Sequence, residues 1–203
     1  DFHPMQPSVA CTASDDRRAI VWDCTTCTRV RMLRQHSREV TGVRFLGASA
    51  IYDKSVATAC ADGHVRLWDM RAPTLQCALP APTDQRLSLA AHPPHHLLAA
   101  GTDRGAVVAW DLRTYRRLQC LDLAARADFK SEVTSLAFSP CCSYLVVGAL
   151  SGVVLAVDLQ QQSQQPVCWH EDGVFSLAWG AACPWRPGAA PFLLCASGDG
   201  TWS

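Results

Sequence analysis

Histidine, cysteine and arginine are the residues here whose spacing could do chemistry. Seven histidines (His3, His36, His64, His92, His95, His96 and His170) and eleven cysteines are scattered over 203 residues. The pair in "CTTC" (24–27) has the spacing of half a zinc knuckle, but a structural zinc site needs a second pair, and none with matching spacing follows. The run "HPPHH" (92–96) is the most metal-like, yet its paired prolines stiffen a segment whose simplest role is to join two strands. There is no Gly-rich phosphate loop and no nucleophile elbow. The expectation is therefore a chain that is not an enzyme and that holds no cofactor or metal.

Arginine offers recognition instead. "WDMR" (68–71) and "WDLR" (110–113) place Arg71 and Arg113 identically after a Trp-Asp pair. A guanidinium presents a planar fork of donors suited to interfaces, although an Arg two residues after an Asp also pairs with it locally at a strand end.

The segments that must position these residues repeat. "ASDDRRAIVWD" ends at Trp22-Asp23, "CADGHVRLWD" at Trp68-Asp69, "GTDRGAVVAWD" at Trp110-Asp111 and "GALSGVVLAVD" at Val157-Asp158, at spacings of 46, 42 and 47 residues. A fifth copy, "CASGDGTWS", starts on schedule. Gly63, Gly105 and Gly152 each precede their Trp or Val by five residues, so Trp202 is too close to Gly200 to be the fifth ending. Before each ending come an alternating run ("VTGVRF", "VTSLAF", "VFSLAW"), a loop that often carries His-Pro or Ser-Pro, a small-residue apolar run ("SVATACA", "HLLAAGT", "YLVVGAL") and a tight Asp/Gly turn. Period-two alternation marks half-buried strands. Segments such as "RRLQCLDL" supply a fourth strand per unit, and no helical periodicity competes.

These units resemble WD repeats, each equivalent to one four-stranded blade of a β-propeller. The resemblance covers nearly the whole chain and implies an all-β fold of about four and a half blades from a probable seven. Approximate blades are 1–33, 34–80, 81–121, 122–160 and a truncated 161–203. The chain opens on "DFHP" without Met and reads as part of something longer. An open ring exposes apolar blade faces, so the isolated polypeptide is expected to need further sequence for stability and to aggregate alone.

The resemblance also implies a buried hydrogen-bond chain of His, Asp, Ser or Thr, and Trp within a blade. The second unit offers His36, Asp62, Thr58 and Trp68; the fifth offers His170, Asp199 and Ser197; the first keeps Asp16, Thr12 and Trp22. The third and fourth depart, with Pro82 and Phe129 at the His position and Asp103 displaced by one residue. Trp-Asp-x-Arg boxes in adjacent blades are similar to the docking signature of substrate receptors of cullin-based ubiquitin ligases, which would make Arg71 and Arg113 contacts for an adaptor.

Lys plus Arg and Asp plus Glu each total 18, so no excess positive field draws the chain to nucleic acid or a membrane surface, and no apolar run is long enough to span one. An odd number of cysteines, mostly inside apolar strand-like runs, fits a reducing intracellular setting, cytoplasmic or nuclear, better than a disulfide framework. The expected function is a non-catalytic protein–protein interaction scaffold that assembles a multiprotein complex. The alternatives are a cullin-ligase receptor and a scaffold in an RNA-handling particle. Turn residues Arg17, Arg38, Arg104 and Asp172 are placed to read a protein or peptide partner. The insert "GAACPWRPGAAP" (180–191) adds Trp185 and Arg186, and "QQQSQQP" (160–166) reads as a flexible connection between blades.

Overall fold

The computed structural model describes residues 1–47, 55–71, 74–81, 87–125, 129, 131–180 and 191–201. Five antiparallel meanders follow one another along them. The first contains β1 (Val9–Ala13), β2 (Ala19–Asp23) and β3 (Thr28–Leu33). The second runs β4 (Val40–Phe45), β5 (Ser55–Cys60), β6 (His64–Asp69) and β7 (Leu75–Pro80). The third runs β8 (Leu87–His92), β9 (Leu97–Thr102), β10 (Ala106–Asp111) and β11 (Arg116–Asp122). The fourth runs β12 (Val133–Phe138), β13 (Tyr144–Ala149), β14 (Val153–Asp158) and β15 (Gln164–Trp169), and the fifth holds β16 (Val174–Gly180) and β17 (Phe192–Ser197). Residues 1–3 lie beside β1, where Phe2 bridges Ala10 and the His3 N–H donates to the Val9 carbonyl, so they stand where the inner strand of the first blade belongs.

One stretch differs from its sequence reading. Residues 160–166 are no flexible connection: they form the β14–β15 turn, with Gln162 at φ 56°, and lead into a strand that pairs with β14. The fourth sheet therefore runs on to Trp169, beyond the boundary at residue 160 that the repeat spacing suggests. A stretch of Gln carries no apolar alternation because an outer strand has little to bury, and most of β15 is exposed.

The core lies between sheets rather than within them. Inner strand packs on inner strand from β4 to β8, β8 to β12 and β12 to β16. Second strands are covered on both faces, so β5 is buried throughout and β9 and β13 nearly so, which explains their uninterrupted small apolar sequences. Between the second and third sheets, Leu67, Leu79, Leu87, Leu98, Trp110 and Leu112 close one such layer. Phe129, Leu136, Leu145 and Leu155 lie in the next. Each fully buried Leu or Phe contributes about 1.5–3 kcal/mol.

Two details set the spacing between sheets. First, a Cβ on Gly101 would stand 2.2 Å from Val133 Cγ1 and 2.6 Å from Ser88 Oγ, so only glycine lets β12 seat here. Gly101→Ala is expected to cost about 1–3 kcal/mol in urea unfolding, with part recovered when Val133→Ala is added. Additive losses would show that the collision is not the cause. Second, a hydroxyl at the same place in three inner strands donates to the next sheet's first carbonyl. Thr41 Oγ1 donates to Leu87 O at 2.7 Å, Ser88 Oγ to Val133 O at 3.0 Å, and Thr134 Oγ1 to Val174 O. In the fifth sheet the equivalent position is Phe175, which has no hydroxyl to give.

Candidate functional site

Two ends of the strands carry different chemistry. At one end the segment entering each inner strand lies against the following hairpin turn, as in the Ala61 N–H to Glu39 carbonyl and the Leu150 N–H to Glu132 carbonyl bonds. Gly63, Gly105, Gly152 and Gly200 hold those turns at φ of 78°, 77°, 84° and 80°, a region open to glycine at little cost.

The second blade builds a buried cluster here. Thr58 Oγ1 receives the Trp68 indole N–H at 2.9 Å and lies 2.9 Å from His36 Nε2, while the His36 and Trp68 rings stand 5.3 Å apart. Three of the four expected partners are thus assembled. The fourth is not: His36 Nδ1 has no hydrogen-bond partner among the described residues. Asp62 turns instead to Arg66, which grips it through two bonds of 3.0 and 2.7 Å, and to the Ser37 hydroxyl and the His64 backbone N–H. The nearer cation takes the carboxylate because a fork-on-carboxylate pair is stronger than a bond to a neutral imidazole. Burial, reinforced by the Arg66 charge, pushes His36 down to about 4. Burial alone would raise Asp62, but hydrogen bonds from Arg66 and Ser37 hold it well below the usual carboxylate range.

The fifth blade departs further. Its His170 Nδ1 meets Thr201 Oγ1 at 3.1 Å and lies 3.6 Å from Asp199 Oδ2. Asp199 is held at about 2, chiefly by the Thr201 hydroxyl. Ser197 braces the turn beside this pair: its hydroxyl accepts the Asp199 backbone N–H at 3.3 Å and donates to the Asp172 carbonyl at 3.0 Å. The residue at the register of Thr58 is Cys195, five before Gly200 as Thr58 is five before Gly63. Counting back from the turn glycine would have found it. In the first blade Trp22 Nε1 donates to Thr12 Oγ1 at 2.9 Å, as the spacing suggests.

Around this end lie Arg17, in the β1–β2 turn, and Arg38, 3.6 Å from Glu39. Arg104 and Asp172 are exposed nearby. At the same end a cavity of about 420 Å³ opens between the starts of the inner strands. Ser14, Asp15, Thr41, Ser88, Glu132 and Thr134 line it, and the two carboxylates make its polar wall acidic. Sequence reading missed Asp15 and Glu132 because they become neighbours only when the sheets fan round a common axis. Trp185 and Arg186 lie outside the described residues.

At the opposite end the Trp-Asp pair closes a turn. Asp23, Asp69, Asp111 and Asp158 each accept the backbone N–H two residues on, at 2.7–2.8 Å, from Thr25, Arg71, Arg113 and Gln160. The Asp is therefore a turn former wherever it occurs, with or without an Arg. Where the Arg is present it folds back: Arg71 Nη2 lies 2.9 Å from Asp69 Oδ2 and Arg113 Nη2 3.0 Å from Asp111 Oδ2. Both side chains nonetheless keep about two thirds of their surface exposed, at 67% and 63%. Cys24 and Cys27 sit in the equivalent turn of the first blade as exposed thiols, and the ten described cysteines form no disulfide among themselves.

Four-stranded meanders fanned about an acidic opening, with a repeated turn closed by Asp, define a β-propeller of WD-type blades. Comparison with known proteins agrees. Residues 27–69 match the WD domain, G-beta repeat, and residues 76–174 match the β-propeller of the nucleolar protein 10-like N-terminal domain. The first match runs from β3 to the end of β6, so the unit of sequence straddles two sheets. Protein groucho of Drosophila melanogaster is 28% identical over 128 residues, covering 63% of this chain and 17% of that protein. The chain thus shares the repeat and the blade fold of WD-repeat proteins. Such propellers are in general protein-interaction scaffolds without catalytic activity.

Proposed function

We propose that this chain is a non-catalytic scaffold that holds a peptide segment of a partner protein at the cavity end of the blades. The observation that carries the reading is the conjunction of the acidic cavity with exposed charges on several successive blades. Asp15 and Glu132 offer acceptors to a basic or backbone N–H group entering the opening. Arg17, Arg38 and Arg104 lie outside it, positioned to receive carboxylates from the flanking segment. A partner held this way is read by several rigid blades at once, while the loops that touch it remain free to vary. The match to a nucleolar protein 10-like propeller supports an intracellular, cytoplasmic or nuclear setting.

The test is affinity purification of the full-length protein from cells beside an Arg17→Glu, Arg38→Glu, Arg104→Glu variant. The variant is expected to lose its co-purifying partners at least tenfold while keeping its circular dichroism spectrum. An unchanged partner set would place binding elsewhere.

A cullin-ligase receptor is the second reading, supported by the exposure of Arg71 and Arg113 in equivalent turns of neighbouring blades. Arg71→Ala with Arg113→Ala is then expected to remove a cullin adaptor from the purified material and leave unfolding within about 0.5–1 kcal/mol of wild type, since exposed ion pairs contribute little. A stable particle that is indifferent to the double substitution would favour the scaffold reading, and an assembly that varies little with salt would count against direct contact with RNA in an RNA-handling particle.

A further inference from the structure

Three ligand-type side chains converge where the third blade meets the fourth, at the end of the strands away from the cavity. His92 closes β8, and His95 ends the single 3₁₀ turn Pro93–His95 that follows it. Cys142 comes from the β12–β13 loop of the next blade. One ring nitrogen of each histidine and the Cys142 sulfur all lie within 4.8 Å of one another.

The hydrogen bonds fix which atoms face inward. His92 Nε2 is 3.4 Å from the Pro140 carbonyl, an acceptor only, so Nε2 carries the proton and Nδ1 carries the lone pair. That Nδ1 lies 3.0 Å from His95 Nδ1. A backbone carbonyl holding the far nitrogen of an imidazole is the arrangement that orients metal-bound histidines. Phe138, at 6.0 Å and nearly perpendicular, further restrains the His92 ring. Two imidazole nitrogens on one tetrahedral zinc stand about 3.3 Å apart, from bonds of about 2.0–2.1 Å, so a few tenths of an ångström of adjustment would seat both.

We propose that His92, His95 and Cys142 form a zinc site joining the third and fourth blades, with water as the fourth ligand. Borderline-soft imidazole and thiolate donors suit Zn²⁺ and disfavour Ca²⁺ or Mg²⁺, which prefer oxygen. Binding releases the Cys142 proton to solvent as the sulfur becomes thiolate. The proton that His95 Nδ1 donates to His92 Nδ1 passes through solvent to His95 Nε2, which frees both Nδ1 lone pairs for the ion. Because the ligands come from separate blades, the ion ties one inter-strand loop to the next. The paired prolines, by stiffening 92–96, hold the two histidines ready for it. A second trio, Cys168, His170 and Cys195, has comparable proximity. Its imidazole already belongs to the fifth blade's own cluster, with Nε2 3.9 Å from Cys168 Sγ and Nδ1 on Thr201.

The experiment uses the full-length protein stripped with a chelator and titrated with zinc chloride or, for its spectrum, cobalt chloride. Wild type is expected to show a thiolate-to-cobalt charge-transfer band and a zinc-dependent rise in melting temperature. His95→Ala, at an exposed position where folding is not at stake, is expected to bind zinc at least tenfold more weakly, and Cys142→Ser to abolish the band. Cys168→Ser is expected to leave both unchanged. The proposal is overturned if wild type shows no band, if His95→Ala and Cys142→Ser bind as wild type does, or if Cys168→Ser is the variant that removes the signal.

Discussion

Trp68→Ala in the full-length protein is expected to lower the unfolding free energy by about 3–5 kcal/mol, measured by urea denaturation. The indole is 1% exposed and packs in the layer between the first and second blades, against residues that include Val21, Val40 and Val56. Its removal leaves a cavity that rigid sheets cannot collapse to fill, and it takes away the donor that Thr58 accepts. Thr58→Val removes the bond but keeps the volume, and is expected to cost about 1–2 kcal/mol. The double variant separates the two contributions: a coupling near 1 kcal/mol between positions 68 and 58 is expected. Strict additivity would mean that the 2.9 Å contact contributes nothing of its own. A cost below about 1 kcal/mol for Trp68→Ala would mean that the blade does not rely on this residue.

Acidification is the second large effect. His36 has an ordinary value of 6.5 and is pushed down to about 4 in the folded chain. Above pH 6.5 the imidazole is neutral in both states and imposes no pH dependence. Between pH 6.5 and pH 4 the unfolded chain takes up a proton that the folded chain refuses, so stability falls as pH falls. Below pH 4 both states are protonated and this loss levels off at roughly 3 kcal/mol. The Asp62 carboxyl, whose value is lowered by folding, then adds its own loss as pH drops below 3.8. His36→Gln is expected to flatten the stability profile between pH 6.5 and pH 4, whatever its effect at neutrality. If wild type and variant lose stability in parallel over that window, the buried imidazole is not the group responsible.

Most of the fold was legible because its signals are local and recur. A turn with glycine five residues before Trp, small residues in a doubly covered strand, and alternation in the inner strand each follow from one blade's geometry. The outer strands were less so: β15 is mostly Gln, Pro, Val and Cys on an exposed edge, and its sequence carries the signature of a loop. The buried cluster was legible down to its residue types in the second blade, where His36, Thr58 and Trp68 meet. The geometry of Asp62 was not, because Arg66 is an ordinary strand residue until folding sets it beside the carboxylate. Ser197 was chosen by type where the register selects Cys195. Groupings that span blades, such as Asp15 with Glu132 or His92 with Cys142, leave no spacing signal. The intervals between their members depend on how sheets stack, not on a strand's period.

The three hydroxyl contacts from Thr41, Ser88 and Thr134 share a polarity: the donor always belongs to the earlier blade and the acceptor to the later one. A ribosome delivers this chain in the same order. Each donor is thus already synthesised when the carbonyl it will meet emerges, and every new sheet arrives at a finished edge with its docking group exposed. The seam can be sewn vectorially, one blade at a time, with no blade waiting for a later one to supply its donor. At Phe175 the thread stops, because the fifth blade has no hydroxyl at that register to offer.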